Sequence, residues 1–208
     1  MAKLIFFDER HEYQVDGEIV PSVSEVLRFI SREVYGDVVQ FRLDHAAERG
    51  HNVHSACEQL DRFGSAEISA EIEPYIKAYI KFRKDHKPEW KKIEHAMNSP
   101  AFGFAGTLDR YGIMDGQTVI VDLKSSYKVE TAIVTAQLNA YCMLARENEM
   151  PVEKLFVLHL RKDATYKLIE IPTDERTFMS CMILHTALKK KSRKKKGNTD
   201  GTTADTDE

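Results

Sequence analysis

The sequence predicts an α/β domain in which a mixed central β-sheet is flanked by helices. Apolar residues recur at helical spacing through most of the first half of the chain, and from about Ile93 they alternate with polar residues as in strands. A helical segment separates the second and third of these strands, as in the crossover that joins parallel strands. At 208 residues the chain can bury one core, so we expect a single domain over residues 1–191.

The N-terminal half is predicted to begin with a hairpin and to continue as helices. In residues 1–21 apolar and polar positions alternate around a turn signal at Asp16-Gly17, and we interpret this segment as a lead-in to the domain. A helix is expected to start at Ser22, because Ser22 and Glu25 have the spacing of a capping box. Two further helices are predicted over residues 41–63 and 70–86.

The C-terminal half is predicted to supply the sheet. Four segments alternate with the period of a strand, over residues 107–114, 118–125, 154–162 and 165–172. A helical crossover, residues 131–148, lies between the second and third strands, and a closing helix, residues 174–191, has an acidic first turn and a basic last turn. Residues 192–208 are a basic block followed by a polar, acidic segment without the apolar residues that folding needs, so we expect a disordered tail.

The composition argues against several classes of protein. The net charge of −3 gives no global basic signature, so contacts with nucleic acid must come from local clusters of charge. No apolar run is long enough to span a bilayer, and acidic residues come too early for a secretion signal, so a cytoplasmic protein is expected. Three distant cysteines, Cys57, Cys142 and Cys181, argue against a disulfide framework, a zinc site and a four-cysteine iron–sulfur cluster.

One predicted hairpin carries the strongest chemical signal. Asp115-Gly116 favours a two-residue turn, which places Asp109 opposite Asp122 and puts Lys124 on the same face as Asp122. Opposed side chains have Cβ atoms about 4.5–5.5 Å apart, where two carboxylates repel each other unless a cation lies between them. Such a pair suits Mg²⁺ or Mn²⁺, and the lysine can orient a water or stabilise charge on a phosphate. These features outline metal-assisted phosphodiester hydrolysis, although a hairpin with a solvated polar face has the same pattern.

Short motifs surround this hairpin in a defined order. They are G-x-x-x-H at Gly50 and His54, Glu94 ahead of the hairpin, G-x-x-D at Gly106 and Asp109, D-x-K at Asp122, Leu123 and Lys124, and Q-x-x-x-Y at Gln137 and Tyr141. The last two residues share one helix face, which the crossover can bring over the strand ends. With this order and spacing the chain resembles the PD-(D/E)XK nuclease superfamily, in particular the branch of the RecB nuclease domain and phage-type exonucleases.

The resemblance implies a restriction-endonuclease-like core and a role for each matching residue. The metal ligands would be His54, Glu94, Asp109, Asp122 and the backbone carbonyl of Leu123. The catalytic set would be Lys124, Asp109, Asp122, Gln137 and Tyr141, with Lys124 as the catalytic lysine and the last two supporting the site and contacting DNA. The implied cofactor is Mg²⁺ or Mn²⁺. Relatives with an iron–sulfur cluster carry four cysteines that this chain lacks, so no such cluster is expected.

These implications predict a metal-dependent DNA exonuclease of phage or bacterial recombination or repair, working in the cytoplasm of a bacterial cell. Two alternatives stay open, because one fold can host several functions. The first is a structure- or sequence-selective endonuclease with the same metal centre, and the second is a non-catalytic nucleic-acid-binding module. The chain has no phosphate-binding G-x-x-x-x-G-K-[ST] loop, so unwinding of DNA would need a helicase or a recombination partner. The pattern selects no oligomeric state.

Overall fold

The structure, a computed structural model, describes residues 3–7, 10, 12–36 and 40–197. Its elements in chain order are β1 (Leu4–Phe7), β2 (Glu12–Val15), β3 (Glu18–Val20), α1 (Val23–Tyr35), α2 (Gln40–Phe63), α3 (Glu73–His86), β4 (Glu89–Ser99), β5 (Phe104–Met114), β6 (Gln117–Lys124), α4 (Thr131–Glu147), β7 (Lys154–Leu160), β8 (Tyr166–Ile171) and α5 (Glu175–Gly197). The three predicted N-terminal helices, the crossover and the closing helix are all present.

A five-stranded mixed sheet forms the centre of the molecule, with the order β4-β5-β6-β7-β8. Neighbouring strands are antiparallel except for β6 and β7, which are parallel. The helix α4 makes this pairing possible, since parallel neighbours need a crossover rather than a tight turn. The predicted mixed sheet flanked by helices is therefore confirmed.

Helices cover both faces of this sheet and form two cores. One core contains apolar residues of α1, α4 and α5, and the other contains those of α2 and α3. Strand β6 contributes to both, because Ile120 packs in the first core while Val119 and Val121 pack in the second. This alternation follows from the two-residue period of a strand that is buried on both faces.

Strand β4 is absent from the four strands that the sequence predicts. It is an edge strand of mostly polar residues, Glu89–Ser99, and its pairing with β5 shifts between Trp90 and Lys92 at a bulge. A bulge inserts one residue into a strand and reverses which face the following side chains occupy. The expected apolar and polar alternation is therefore interrupted within β4, which explains why the sequence conceals it.

Gly112 of β5 lies opposite this bulge and has no room for a side chain. A Cβ atom at this position would lie 2.1 Å from the Glu89 carbonyl oxygen and 2.8 Å from the Trp90 Cα. Because both obstacles are backbone atoms, Gly112→Ala is expected to lower the free energy of unfolding by about 3 kcal/mol. Urea unfolding of the two proteins would measure the loss.

Gly50→Ala is the matched control for this prediction. Gly50 lies within α2, and the nearest described atom to a Cβ there would be Ser125 Oγ at 3.9 Å, an ordinary contact. Alanine in a helix interior is favoured over glycine by roughly 0.5–1 kcal/mol. Equal stability of the Gly112→Ala protein and the wild type would mean that the bulge relaxes and that this close approach is unimportant.

The N-terminal residues form a small antiparallel sheet, β1-β2-β3, one strand more than the expected hairpin. Its tight turn is at Asp16 and Gly17, which both have positive φ angles. The sheet is attached to β5 through a hydrogen bond from the Ala105 N–H to the Pro21 carbonyl oxygen. Helix α1 then begins as predicted, because the Ser22 hydroxyl accepts a hydrogen bond from the Glu25 N–H.

The closing helix α5 runs to Gly197, six residues beyond the end at residue 191 that the sequence predicts. The basic block there consists of good helix formers, and cations are favourable near a helix C-terminus. The rest of the predicted tail, residues 198–208, lies outside the described residues. None of the described helices combines the length and apolar character that a membrane span requires.

Candidate active site

The hairpin of β5 and β6 has the predicted register and brings Asp109 and Asp122 to the end of its ladder. The turn residues Asp115 and Gly116 both have positive φ angles, as a two-residue turn requires. Backbone pairing runs from Met114 and Gln117 to Arg110 and Val121, and Asp109 and Asp122 are the next residues on each strand. The Asp109 carboxylate, at Oδ2, accepts a hydrogen bond of 2.6 Å from the Leu123 N–H. The site therefore begins where a hydrogen bond to a side chain replaces the backbone pairing of the two strands.

Three side chains from three elements converge beside this ladder end. The ligand atoms of His54 from α2, Glu94 from β4 and Asp109 from β5 all lie within 4.8 Å of one another. His54 Nδ1 is 3.6 Å from Asp109 Oδ2 and 3.8 Å from Glu94 Oε1, and its Nε2 is 3.0 Å from the Leu123 carbonyl oxygen. Four of the five predicted metal ligands are thus neighbours, and they offer three oxygen donors and one nitrogen donor.

Asp122 and Lys124 form a second group next to this cluster. Lys124 Nζ lies 2.7 Å from Asp122 Oδ2, and the Asp122 side chain is only 1% exposed. Among the described residues, His54, Glu94 and Asp109 have ligand atoms close enough together to hold one metal ion. Asp122 is not part of this group. Within the described part of the chain, Asp122 Oδ1 has no hydrogen-bond partner, whereas Oδ2 is paired with Lys124. A buried carboxylate with spare acceptor capacity fits a bound divalent cation.

The carboxylates of the site are buried close together, so their negative charges repel one another. Burial raises the pKa of Asp122 to about 6, although Lys124 opposes the shift. Burial also raises the pKa of Asp109. For His54, burial favours the neutral form, but the charges of Asp109 and Glu94 outweigh it and raise the pKa to about 9. The acidic residues therefore attract positive charge, as a metal site does.

Gln137 and Tyr141 of α4 complete the predicted set. Gln137 Nε2 donates a hydrogen bond of 3.0 Å to the Tyr141 hydroxyl, and both residues line the same cavity as the carboxylates. Burial holds the pKa of Tyr141 well above its usual range, so the phenol stays protonated and can donate a hydrogen bond. Gly106 lets α4 approach closely, since a Cβ atom there would lie 3.0 Å from Tyr141 Cε1 and 2.9 Å from Val23 Cγ2.

Every residue of the predicted site except Leu123 lines a cavity of about 710 Å³. One of its walls is the small N-terminal sheet, where the rings of Phe6 and Tyr13 stack with their centroids 4.6 Å apart. The Tyr13 hydroxyl and Thr107 Oγ1 of β5 are 2.8 Å apart and connect this wall to the central sheet. Residues 1–21 are predicted from the sequence only as a lead-in, and no pattern in them indicates that they border the site.

Two charged residues with buried side chains, Arg110 and Asp61, lie beside the cluster and were not predicted from the sequence. Arg110 is completely buried and donates a hydrogen bond of 3.0 Å to Glu94 Oε1 and one of 2.7 Å to Asp61 Oδ2. The only signal in the sequence is an arginine within an otherwise apolar strand, directly after Asp109. Asp61, on α2, lies 49 residues away from Arg110 along the chain. No local pattern links the two.

The chain is similar to one protein family over most of its length and to solved structures at low identity. The family model of the PD-(D/E)XK nuclease superfamily matches residues 24–205. Two solved structures are similar at low identity. An exonuclease candidate from Eubacterium rectale is 17% identical, with a TM-score of 0.47, over 67% of this chain and 63% of the other. An alkaline exonuclease from Laribacter hongkongensis is 14% identical, with a TM-score of 0.44, over 86% of this chain and 93% of the other.

A search of curated proteins found no match. The chain spans less than two thirds of the Eubacterium rectale protein, and the likeness to both structures is weaker than the family match, which covers most of the chain. That match agrees with the five-stranded mixed sheet and with the His54, Glu94 and Asp109 cluster. The chain belongs to the PD-(D/E)XK nuclease superfamily, whose members use divalent metals.

Proposed function

We propose that the protein is a Mg²⁺- or Mn²⁺-dependent DNA exonuclease. The observation that carries the proposal is the convergence of His54, Glu94, Asp109 and the Leu123 carbonyl beside the buried pair of Asp122 and Lys124. Carboxylate and carbonyl oxygens are donors that suit Mg²⁺ and Mn²⁺. A lysine paired with a buried carboxylate next to such donors is an arrangement suited to phosphodiester hydrolysis.

The ligands proposed for the ion are His54, Glu94, Asp109, Asp122 and the Leu123 carbonyl. When bound, a divalent ion polarises a phosphodiester oxygen and lowers the pKa of a water molecule. The chain itself fixes the positions of two carboxylates, because Asp109 accepts a hydrogen bond from the Leu123 N–H and Glu94 accepts one from Arg110. Preorganised ligands need no rearrangement when the substrate arrives, which favours the transition state.

Lys124 is the proposed catalytic lysine. Its ammonium group lies 2.7 Å from Asp122 Oδ2, and its side chain is 26% exposed towards the cavity. It is placed to orient the attacking water or to stabilise the negative charge that develops on the phosphate. Tyr141 and Gln137 border the same space, and the phenol of Tyr141 can donate a hydrogen bond to a phosphate oxygen.

The cavity supports action at a DNA end. The small N-terminal sheet and α2 both line the cavity that holds the proposed metal ligands, and in our proposal a strand end enters this cavity. We place the activity in phage or bacterial recombination or repair, in the cytoplasm. A helicase or recombination protein is the proposed source of DNA ends, because the chain has no phosphate-binding loop of its own.

End-labelled linear duplex, the same sequence as a single strand, and closed circular plasmid would test this function. Each substrate is incubated with Mg²⁺, Mn²⁺ or EDTA, with wild-type protein or Asp122→Ala. We expect linear DNA to be shortened from its ends, only with metal and only by the wild type, while the circle stays intact. Cutting of the circle would favour the endonuclease. Retention of DNA without cleavage under any condition would favour the binding module.

A further inference from the structure

A fully buried guanidinium lies directly behind the metal-binding cluster. Arg110 follows Asp109 on β5, and its side chain reaches Asp61 of α2, which in turn is bonded to Tyr79 of α3. Its exposed fraction is 0%. Burying a charge of this kind is costly unless it is paired and hydrogen-bonded, so its partners indicate what it does.

The partners of Arg110 link the second core to the cluster. Nε donates a hydrogen bond of 2.7 Å to Asp61 Oδ2, and Nη1 donates one of 3.0 Å to Glu94 Oε1 and one of 2.7 Å to the Asp109 carbonyl oxygen. Asp61 is itself buried and accepts a hydrogen bond of 2.6 Å from the Tyr79 hydroxyl. Since the guanidinium is planar and rigid, anchoring one edge on Asp61 fixes the direction of the edge that reaches Glu94.

Glu94 has a backbone that needs support. Its φ angle is 45°, although it lies within β4 and is not a glycine. A residue in this region of backbone space persists only where its surroundings hold it, and such residues concentrate at functional sites. The same carboxylate oxygen that accepts from Arg110, Oε1, also lies 3.8 Å from His54 Nδ1. One oxygen therefore faces both the buried guanidinium and the proposed metal ligands.

We propose that Arg110, anchored by Asp61, is a positioning residue that holds the Glu94 carboxylate in place for metal binding. The inference rests on the proposed function, since it assigns the support of the same metal site. Without the guanidinium, Glu94 would be free to turn towards solvent, because its side chain is already 27% exposed. Residues that orient a metal ligand from behind typically contribute 10- to 100-fold to metal affinity.

Binding of Mn²⁺ to the full chain, followed by electron paramagnetic resonance without DNA, tests this role. We expect Arg110→Met to weaken Mn²⁺ binding by about 10- to 100-fold. Arg110→Lys keeps a cation but lacks the planar fork that reaches Asp61 and Glu94 at once, so it should recover part of the affinity. Thermal unfolding of each variant is measured alongside.

Arg83→Met is the matched control. Arg83 Nε also approaches Asp61, at 3.4 Å, and Arg83 Nη1 donates to the Leu60 carbonyl at 3.2 Å, and these are its polar contacts within the described chain. Its loss should cost some stability while leaving Mn²⁺ affinity within about twofold of the wild type, because Glu94 keeps its donor. Loss of affinity in Arg83→Met equal to that in Arg110→Met would mean that affinity merely follows stability, and the proposal would be overturned.

Other outcomes of the same experiments would overturn either the inference or the proposed function. Folded Arg110 variants that bind Mn²⁺ as the wild type does would overturn the inference and leave the proposed nuclease standing. If both Arg110 variants fail to fold, Asp61→Asn keeps the guanidinium but weakens its anchor, and we expect about tenfold weaker binding. Unchanged affinity in that variant would also overturn the inference. A wild-type protein that binds no Mn²⁺ would instead refute the proposed metal-dependent function.

Discussion

Replacing Lys124 by alanine is expected to lower the rate of phosphodiester cleavage by roughly 10²- to 10³-fold, which is the usual loss when one preorganised charge-stabilising group is removed. The fold should survive the change. Asp122 loses its ion-pair partner, but burial already raises the pKa of this carboxyl to about 6. Because Lys124 holds this pKa down, its removal lets the carboxyl take up a proton near neutral pH instead of remaining an uncompensated buried charge. Initial rates on end-labelled duplex with saturating Mg²⁺ measure the effect.

Lys128→Ala is the control for this variant. Lys128 lies in the loop that follows β6, its Nζ is 3.0 Å from Glu130 Oε1, and its side chain is 73% exposed. Its loss removes the same charge close to the site without touching Asp122, and we expect less than a threefold change in rate. A Lys124→Ala protein that cleaves as fast as the Lys128→Ala protein would remove Lys124 from the mechanism.

Replacing Asp109 by asparagine is expected to abolish most of the stabilisation that a divalent metal gives to the fold. Asparagine keeps an oxygen that can accept the hydrogen bond from the Leu123 N–H, so the ladder end survives while the charge is lost. A metal that binds only the native state stabilises the wild type by about 2.7 kcal/mol at a concentration 100 times its Kd. A 100-fold weaker site at the same concentration retains only about 0.4 kcal/mol. Thermal unfolding with and without Mn²⁺ measures the difference.

Asp115→Asn, on the same hairpin, is the control for the Asp109 variant. Asp115 is in the turn that follows β5, and its Oδ2 lies 2.7 Å from His86 Nδ1. This variant should keep the full stabilisation by Mn²⁺, because no atom of the cluster is altered. If Asp109→Asn is stabilised by Mn²⁺ as much as the wild type, Asp109 is not a ligand, and the metal must be bound through Asp122 and its neighbours.

The central hairpin was predictable because its information is local. Asp115-Gly116 specifies a two-residue turn, and the turn alone fixes which residues of β5 and β6 face each other. The grouping of His54 with Asp109 required more than local rules, since 55 residues separate them, and it came from a resemblance in motif order. The geometry then agrees with that order, with His54 Nδ1 3.6 Å from Asp109 Oδ2.

The features that the sequence conceals depend on tertiary contacts. Strand β4 was missed because its bulge interrupts the period of two, and α5 continued past residue 191 because lysines and arginines extend a helix. The contact between Arg110 and Asp61 joins a strand to a helix across 49 residues. A buried ion pair of this kind has no sequence period, so no rule based on patterning can find it.

The N-terminal sheet has a consequence for how such an enzyme diversifies. Every proposed metal ligand and the catalytic lysine belong to elements from α2 onwards, whereas Phe6 and Tyr13 of the cavity wall come from the first twenty residues. The proposed hydrolytic residues and this wall of the cavity are therefore encoded in separate stretches of the gene. Mutations confined to the first stretch can reshape the wall while the proposed ligands and lysine are inherited unchanged, so variants with a different cavity wall can arise without passing through an inactive ancestor.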